Sequence, residues 1–286
     1  MKKGLLLLEG GAYRGIFTSG VLDAFLENDI YFDTVVGISA GALCGYNYVS
    51  KDIGRSKKII IEHGQDKKYF GIGNLIKTGS AFGSDYVFND LPNEIPFNVE
   101  QFINGAEFYV GATNCNTGEC EYFSKNDEND FVSCVVASAS MPLVSKMVSI
   151  NDNLYLDGGI SEHLPLGFID EEKYDCVVSV LTRPIDSIKK DIPKTQKRLY
   201  KIKYKNYPVL LDKLISEAEV FNEQRQKIKQ VYSDGKMLVV EPDERFLVKR
   251  LERNVDKLND GYKLGYEAGL EAVEKIKVML SWKVEY

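Results

Sequence analysis

Histidine is scarce in this chain: His63 and His163 are the only two among 286 residues. Two imidazoles cannot furnish a histidine-rich zinc site, and they narrow any scheme that moves a proton through histidine. Cysteine is sparse too. The five are Cys44, Cys115, Cys120, Cys134 and Cys176, an odd count with no Cys-x-x-Cys pair. Free, mostly buried thiols in a reducing compartment are expected; a Cys115–Cys120 disulfide across Asn116-Thr117-Gly118 is the alternative. No apolar run approaches the roughly 18 residues of a membrane span. Leu5–Leu8, behind Met1-Lys2-Lys3, is too short for a signal-peptide core and runs straight into Glu9-Gly10-Gly11. A cytoplasmic protein is the expectation. A basic excess is also missing. Lys and Arg number 36 against 42 Asp and Glu, for a net charge of -6. That balance argues against nucleic-acid binding and leaves open a transient, local contact with a membrane surface. No cofactor or metal is expected, and nothing sets an oligomeric state.

What is present is ordinary globular material, 44% hydrophobic and 27% charged. A chain of this length buries a large core without staples. Leu5–Leu8 reads as a strand covered on both faces, and Thr34-Val35-Val36 as a second. Between them a helix opens at Gly15, places Phe17, Val21, Ala24 and Phe25 on one face, and ends at Asn28-Asp29. A slim helix follows Ser39. Phe108–Ala112 and Glu121–Phe123 read as a hairpin, Phe131–Ser140 as a small-residue helix stopped by Pro142, and Leu154–Leu156 and Cys176–Leu181 as strands. The spacing then predicts a polar helix over Leu210–Tyr232, a strand over Met237–Val240 and a helix over Asp256–Trp282. The alternation predicts an α/β fold: three layers, α/β/α, around a mostly parallel sheet with the N-terminal strand inside it. One domain over residues 1–286 is expected, with a motif-bearing core over 4–182 and a helical and strand extension over 186–286. In residues 51–104, Tyr69, Phe70, Leu75, Ile76, Phe82, Tyr86 and Phe88 follow no clean period. They form either a lid-like cover over a pocket or ordinary packing around irregular loops.

Three motifs carry chemistry. Gly37-Ile38-Ser39-Ala40-Gly41 is a G-x-S-x-G pattern between a predicted strand and helix, the setting of a nucleophile elbow. Gly10-Gly11-Ala12-Tyr13-Arg14-Gly15 joins the first strand to the first helix. Successive N–H groups in such a turn make an anion cradle. Arg14 is placed to brace it, against Glu9. Asp157-Gly158-Gly159 sets a carboxylate at a strand end before flexible backbone. A dinucleotide site is the rival reading of Gly10, Ala12 and Gly15, but it wants an acid at the end of the second strand, where Ser39 follows instead.

In this order the motifs resemble the patatin-like phospholipase family, whose pattern is G-G-G-x-R/K-G, then G-x-S-x-G, then D-G-G or D-G-A. Ser138-Ala139-Ser140-Met141-Pro142 resembles the family's small-residue block before the aspartate, and Leu264-Gly265-Tyr266-Glu267 resembles the bacterial cytoplasmic branch. The resemblance implies a patatin-like fold and a serine acyl-ester hydrolase of phospholipase A type, acting on an acyl-ester or phospholipid substrate. Ser39 is the implied nucleophile, Asp157 its base, and the N–H groups of Gly10, Gly11 and Ala12 the oxyanion donors. Arg14, Gly15, Gly37, Gly41, Gly158 and Gly159 have supporting places. Ala12 stands where the family has its third glycine, and a Cβ disfavours left-handed backbone by about 1–2 kcal/mol.

Three other readings stand beside this one. A Ser–Asp–His triad would have to use His163, six residues past Asp157. An acyl-lipid-binding protein would keep the pocket with little turnover. A carboxylesterase or thioesterase would act on a non-lipid ester.

Overall fold

The computed structural model describes residues 3–281. Its centre is the strand β1 (Gly4–Leu8), in which Leu5, Leu6, Leu7 and Leu8 are all 0% exposed. Successive strand side chains point to opposite faces, so four buried leucines in a row require cover on both sides. Leu6 and Leu8 pack with Phe17, Val21 and Phe25 of helix α1 (Gly15–Glu27). Leu5 and Leu7 pack with Val177, Leu164 and Ile228 on the opposite face. Each leucine so buried contributes roughly 1.5–3 kcal/mol.

On one side β1 pairs in parallel with β2 (Thr34–Ile38), which pairs in parallel with β3 (Glu107–Asn114). On the other it pairs in parallel with β7 (Cys176–Val180), and β7 with β8 (Leu238–Val240). Antiparallel strands finish the sheet: β4 (Cys120–Ser124) and β6 (Asn153–Asp157) on β3, and β5 (Val148–Ile150) on β6. The fold is therefore mixed α/β, with a mostly parallel central sheet flanked by helices. Among the described residues no helix is long and apolar enough to cross a membrane.

The registers on β3 explain the site. Residues Tyr109–Thr113 pair with β4, and Glu107–Gly111 pair with β2. A strand has two edges, so β2 and β4 occupy opposite ones. Ala112–Asn114 pair with β6, and Ala112 and Thr113 are already shared with β4. Hence β6 lies on the same edge as β2, running the other way. The last residue of β2, Ile38, sits opposite Gly111, and the last of β6, Asp157, sits opposite Ala112. The two strands end head to head.

Several expectations need correction. The helix predicted over Leu210–Tyr232 is two helices, Pro208–Ile215 and Glu217–Ser233. Ser216 breaks it, with ψ at 18° and its hydroxyl donating to the Asp212 carbonyl at 2.7 Å, a back-bond that competes with the helical ladder. The three-residue strand β5 and the helix Lys194–Lys203 were not anticipated. The cysteines, by contrast, are as expected: Cys115 and Cys120 form no disulfide, and all five thiols are free and four of them buried. The C-terminal helix runs over Val255–Ser281; Trp282 lies outside the described residues.

That helix packs on α1 at a spacing only glycine permits. A Cβ on Gly265 would stand 2.0 Å from the Phe17 carbonyl oxygen, and one on Gly20 of α1 would stand 2.2 Å from that of Tyr262. Gly261, Gly265 and Gly269 recur every four residues along this contact, which gives the Gly265 tetrapeptide a physical meaning. Gly265→Ala should destabilise the protein by about 1–3 kcal/mol, the range for overpacking a tight contact. Gly73→Ala, where a Cβ meets nothing within 4 Å, should not. Thermal melts of the two variants check this, and an unchanged Tm for Gly265→Ala would contradict the packing argument.

Candidate active site

Ser39 occupies the turn between β2 and α2 (Ala40–Val49) with φ 53° and ψ -117°. A residue with a Cβ holds such a conformation at a cost of about 1–3 kcal/mol. The turn is compressed from both sides. A Cβ on Gly37 would lie 2.7 Å from the Ala42 nitrogen, and one on Gly41 would lie 2.3 Å from the Leu8 carbonyl oxygen.

The head-to-head strand ends bring the serine and aspartate together. Ser39 Oγ donates to Asp157 Oδ2 at 2.7 Å, and the Gly159 N–H donates to Oδ1 at 2.8 Å. The small-residue block pins both partners. The Ser39 N–H donates to Ser138 Oγ at 2.9 Å, and the Asp157 N–H to the Ser140 carbonyl at 2.9 Å. Gly158 presses on β3, since a Cβ there would be 2.3 Å from the Gly111 carbonyl oxygen. Ser39 is 7% exposed and Asp157 6%. Burial pushes the Asp157 carboxyl above the usual range, while the Ser39 and Gly159 hydrogen bonds pull it partly back. A hydroxyl bonded to a buried carboxylate of raised proton affinity has a proton acceptor in place without histidine.

The glycine-rich loop lies against this pair. A Cβ on Gly10 would be 3.1 Å from Ser39 Cβ, and one on Gly11 would be 2.5 Å from Thr182 Oγ1. Ala12 has φ 51°, so alanine does take the left-handed backbone that its Cβ disfavours. Among the described residues, no protein acceptor takes the N–H groups of Gly10, Gly11 or Ala12. The next two are used: Tyr13 N–H donates to the Arg250 carbonyl and Arg14 N–H to that of Gly11, each at 3.2 Å. Gly15 starts α1 close to the elbow, where a Cβ would be 3.0 Å from Ala40 Cβ.

The brace of the loop differs from expectation. Glu9 pairs with Arg225, not Arg14, at 2.6 Å, and both side chains are 2% exposed. Glu9 also accepts the Thr182 N–H at 2.6 Å, and the Thr182 hydroxyl donates to the Gly10 carbonyl at 2.8 Å. Arg225 lies on a helix 216 residues along the chain, and no local sequence signal marks it. His163 borders the site, but its ring stands edge-on to Phe221 and its Nε2 has no partner. Burial, then Lys189 and the arginines Arg225, Arg250 and Arg183, push its pKa well below the ordinary value, so the ring is neutral. His63 is elsewhere, bonded to the Tyr86 hydroxyl at 2.9 Å. Among the described residues no cluster of His, Cys, Asp and Glu is arranged to hold a metal.

Two cavities share Ser39. One is mainly apolar, lined by Tyr13, Leu43, Tyr69, Phe70, Phe82 and Phe88. Tyr69, Phe70, Phe82 and Phe88 of the mixed segment thus line a pocket, while Ile72 and Ile76 remain 77% and 81% exposed. The other cavity is polar and contains Asp157, the glycine-rich loop and several cations.

The raised proton affinity of Asp157 has a sign that can be tested. A carboxyl whose folded pKa exceeds its unfolded one contributes stability below the unfolded value and loses it as pH rises through the folded one. Asp157→Asn removes that penalty. The variant should be more stable than the parent at pH 7, with the gain vanishing near pH 4 and below. Denaturant midpoints at both pH values measure it, and a gain of equal size at both would refute the assignment of the penalty to ionisation.

A family model for patatin-like phospholipase matches residues 6–169, and one for a domain of unknown function (DUF6363) matches residues 207–281. The chain is 28% identical over 185 residues to the uncharacterised protein YjjU of Escherichia coli K12, covering 63% of this chain and 52% of that protein. It is 24% identical to the probable lipid hydrolase 463L of Invertebrate iridescent virus 6, covering 62% of this chain and 69% of the viral protein. It is 29% identical to the lysophospholipase nte1 of Emericella nidulans, over 63% of this chain but 12% of the fungal protein. The match thus spans about half the length of the bacterial relative and a small part of the fungal one. Among solved structures, VipD from Legionella pneumophila aligns with a TM-score of 0.54 and 16% identity over 96% of this chain and 67% of VipD, a likeness of fold. All three sequence motifs fall inside a family match that spans more than half of the chain, and the chain belongs to the patatin-like phospholipase family.

Proposed function

We propose that the chain is a serine acyl-ester hydrolase acting on lipids, with Ser39 and Asp157 as a two-residue catalytic unit. The observation that carries this reading is the 2.7 Å hydrogen bond from Ser39 Oγ to a buried Asp157, beside three unpaired N–H groups. As Oγ forms its bond to the ester carbonyl carbon, its proton passes to Asp157 Oδ2. The carbonyl oxygen takes the negative charge and accepts hydrogen bonds from Gly10, Gly11 and Ala12; one such donor is typically worth about 100- to 1,000-fold in rate. Collapse breaks the ester C–O bond, and the alkoxide leaves with the proton from Asp157. Asp157 then takes a proton from water as that water attacks the acyl-enzyme, and returns it to Ser39 Oγ as the bond between Oγ and the acyl carbon breaks and the fatty acid leaves. The apolar cavity suits the acyl chain, and burial of Asp157 moves its proton affinity toward that useful in a general base.

Kinetics on a soluble ester test the assignment. Ser39→Ala should abolish turnover and fluorophosphonate labelling. Asp157→Asn should lose about 100- to 10,000-fold in kcat/KM, the usual worth of general-base assistance. His163→Ala and His63→Ala should retain substantial activity. A folded His163→Ala protein as inactive as Asp157→Asn would replace the pair with a triad, and a wild-type chain that binds lipid without labelling would make it a binding protein.

We also propose that the cover segment touches lipid surfaces through Ile72 and Ile76, four residues apart on the exposed helix Ile72–Thr78. Replacing both with Ser should weaken sedimentation with phospholipid vesicles and leave turnover of a soluble ester intact. Equal sedimentation would count against it.

A further inference from the structure

The polar cavity beside Ser39 contains more positive charge than its acids neutralise. Arg14, Arg183, Lys189 and Arg250 line it, as do Glu9, Asp157 and Glu217. Each acid already has a partner. Glu9 is paired with Arg225, which stands behind the cavity, Glu217 with Lys189, and Asp157 accepts the Ser39 hydroxyl. The guanidinium groups of Arg14, Arg183 and Arg250 make no hydrogen bond or direct ion pair among the described residues, although Glu9 attracts Arg14 and Arg183 from a distance and Glu217 attracts Arg183; Arg183 rests 5.7 Å from the centre of the Phe221 ring. The three repel one another: burial, then Arg183 and Arg250, lower the Arg14 pKa to about 10, and burial with Arg225 and Arg250 lowers that of Arg183. Three like charges gathered in one cavity, beside a nucleophile, are stabilised by an anion placed among them.

The position says which anion. Acyl chain and leaving group lie on opposite sides of a scissile ester bond. With the acyl chain in the apolar cavity, the alcohol part of the ester enters the polar one. Arg183 and Arg250 both follow the patatin-matched segment, and Arg250, Leu214, Glu217 and Phe221 all come from residues 207–281. We propose that this cavity is a headgroup subsite for the terminal phosphate of an acylglycerol phosphate, held by Arg14, Arg183 and Arg250. Part of its lining comes from residues 207–281. A phosphomonoester dianion offers three terminal oxygens to three guanidinium forks, where a neutral acylglycerol would leave the charges unpaired. The acyl half of this assignment rests on the hydrolase reading; the anion half does not.

The test separates binding from turnover. Calorimetry on full-length Ser39→Ala protein compares decyl phosphate, 1-O-decylglycerol and inorganic phosphate, each below its micelle concentration. Decyl phosphate should bind at least about tenfold more tightly than decylglycerol and than inorganic phosphate, since charge-assisted hydrogen bonds are the strong ones. Replacing Arg183 and Arg250 with Gln in the same background should bring the phosphate-to-glycerol affinity ratio close to one. Arg250 is exposed, so Arg250→Gln alone carries the comparison if the double variant does not fold; it should lower the ratio several-fold. Equal affinities for decyl phosphate and decylglycerol, or a ratio that the arginine variants leave unchanged, would overturn the proposal. Inorganic phosphate binding as tightly as decyl phosphate would give the arginines to a free anion and overturn the headgroup assignment. If the binding ratios hold and the wild-type chain hydrolyses no ester, the hydrolase reading fails and the anion site stands.

Discussion

The proposed chemistry of this molecule depends on two strands ending against one another along a single edge of β3. Each brings one residue, Ser39 or Asp157, and neither has to reach for the other. A dyad assembled across packed layers would inherit the freedom of two long side chains. Here a serine and an aspartate, both short, meet at 2.7 Å because the backbone has already closed the gap. The small-residue block fixes both backbones by hydrogen bonds, and the left-handed Ser39 turn is held by tight contacts around Gly37 and Gly41. Preorganisation of this kind is where enzymes find much of their advantage over water.

The electrostatics divide into two zones. Asp157 is buried at the edge of the polar cavity, and burial holds its carboxyl above the ordinary range, which is unfavourable for stability and would be favourable for the proposed base. Behind the glycine-rich loop, Glu9 and Arg225 form a fully buried pair with Thr182 as a third partner. Breaking such a pair by removing one side typically costs about 3–5 kcal/mol. Its place directly before Gly10 means that the loop's position answers to a distant helix as well as to its own turn.

How much was legible in the sequence follows from how local each signal was. Leu5–Leu8, the Ser39 elbow and the Asp157 turn announce themselves within a few residues, because burial on both faces and strained turns demand particular neighbours. The mostly parallel sheet follows from the alternation of such segments. Long-range partners leave no such mark. Arg225 sits in a polar helix with nothing to distinguish it from its neighbours, so Arg14 looked like the natural partner of Glu9. Arg183 and Arg250 lie outside every motif and acquire meaning only where the fold gathers them. The break at Ser216 was hidden because one hydroxyl back-bond outweighed a continuous helical pattern, and β5 is too short to show a period.

The glycine-lined contact between α1 and the C-terminal helix bears on the order in which the chain takes shape. Asp23 and Tyr262, hydrogen-bonded at 2.8 Å, are 239 residues apart in sequence, and Glu9 and Arg225 are 216 apart. Closing loops of that length delays the contacts that reward them, and topologies dominated by such contacts fold slowly. A ribosome must release the chain beyond Gly269 before α1 can be covered on that side. Until then the apolar first third stands partly open, the state in which chains aggregate or recruit chaperones. The helix Val255–Ser281 is therefore a late partner for a helix made early, and folding and synthesis are coupled through their glycine-lined contact.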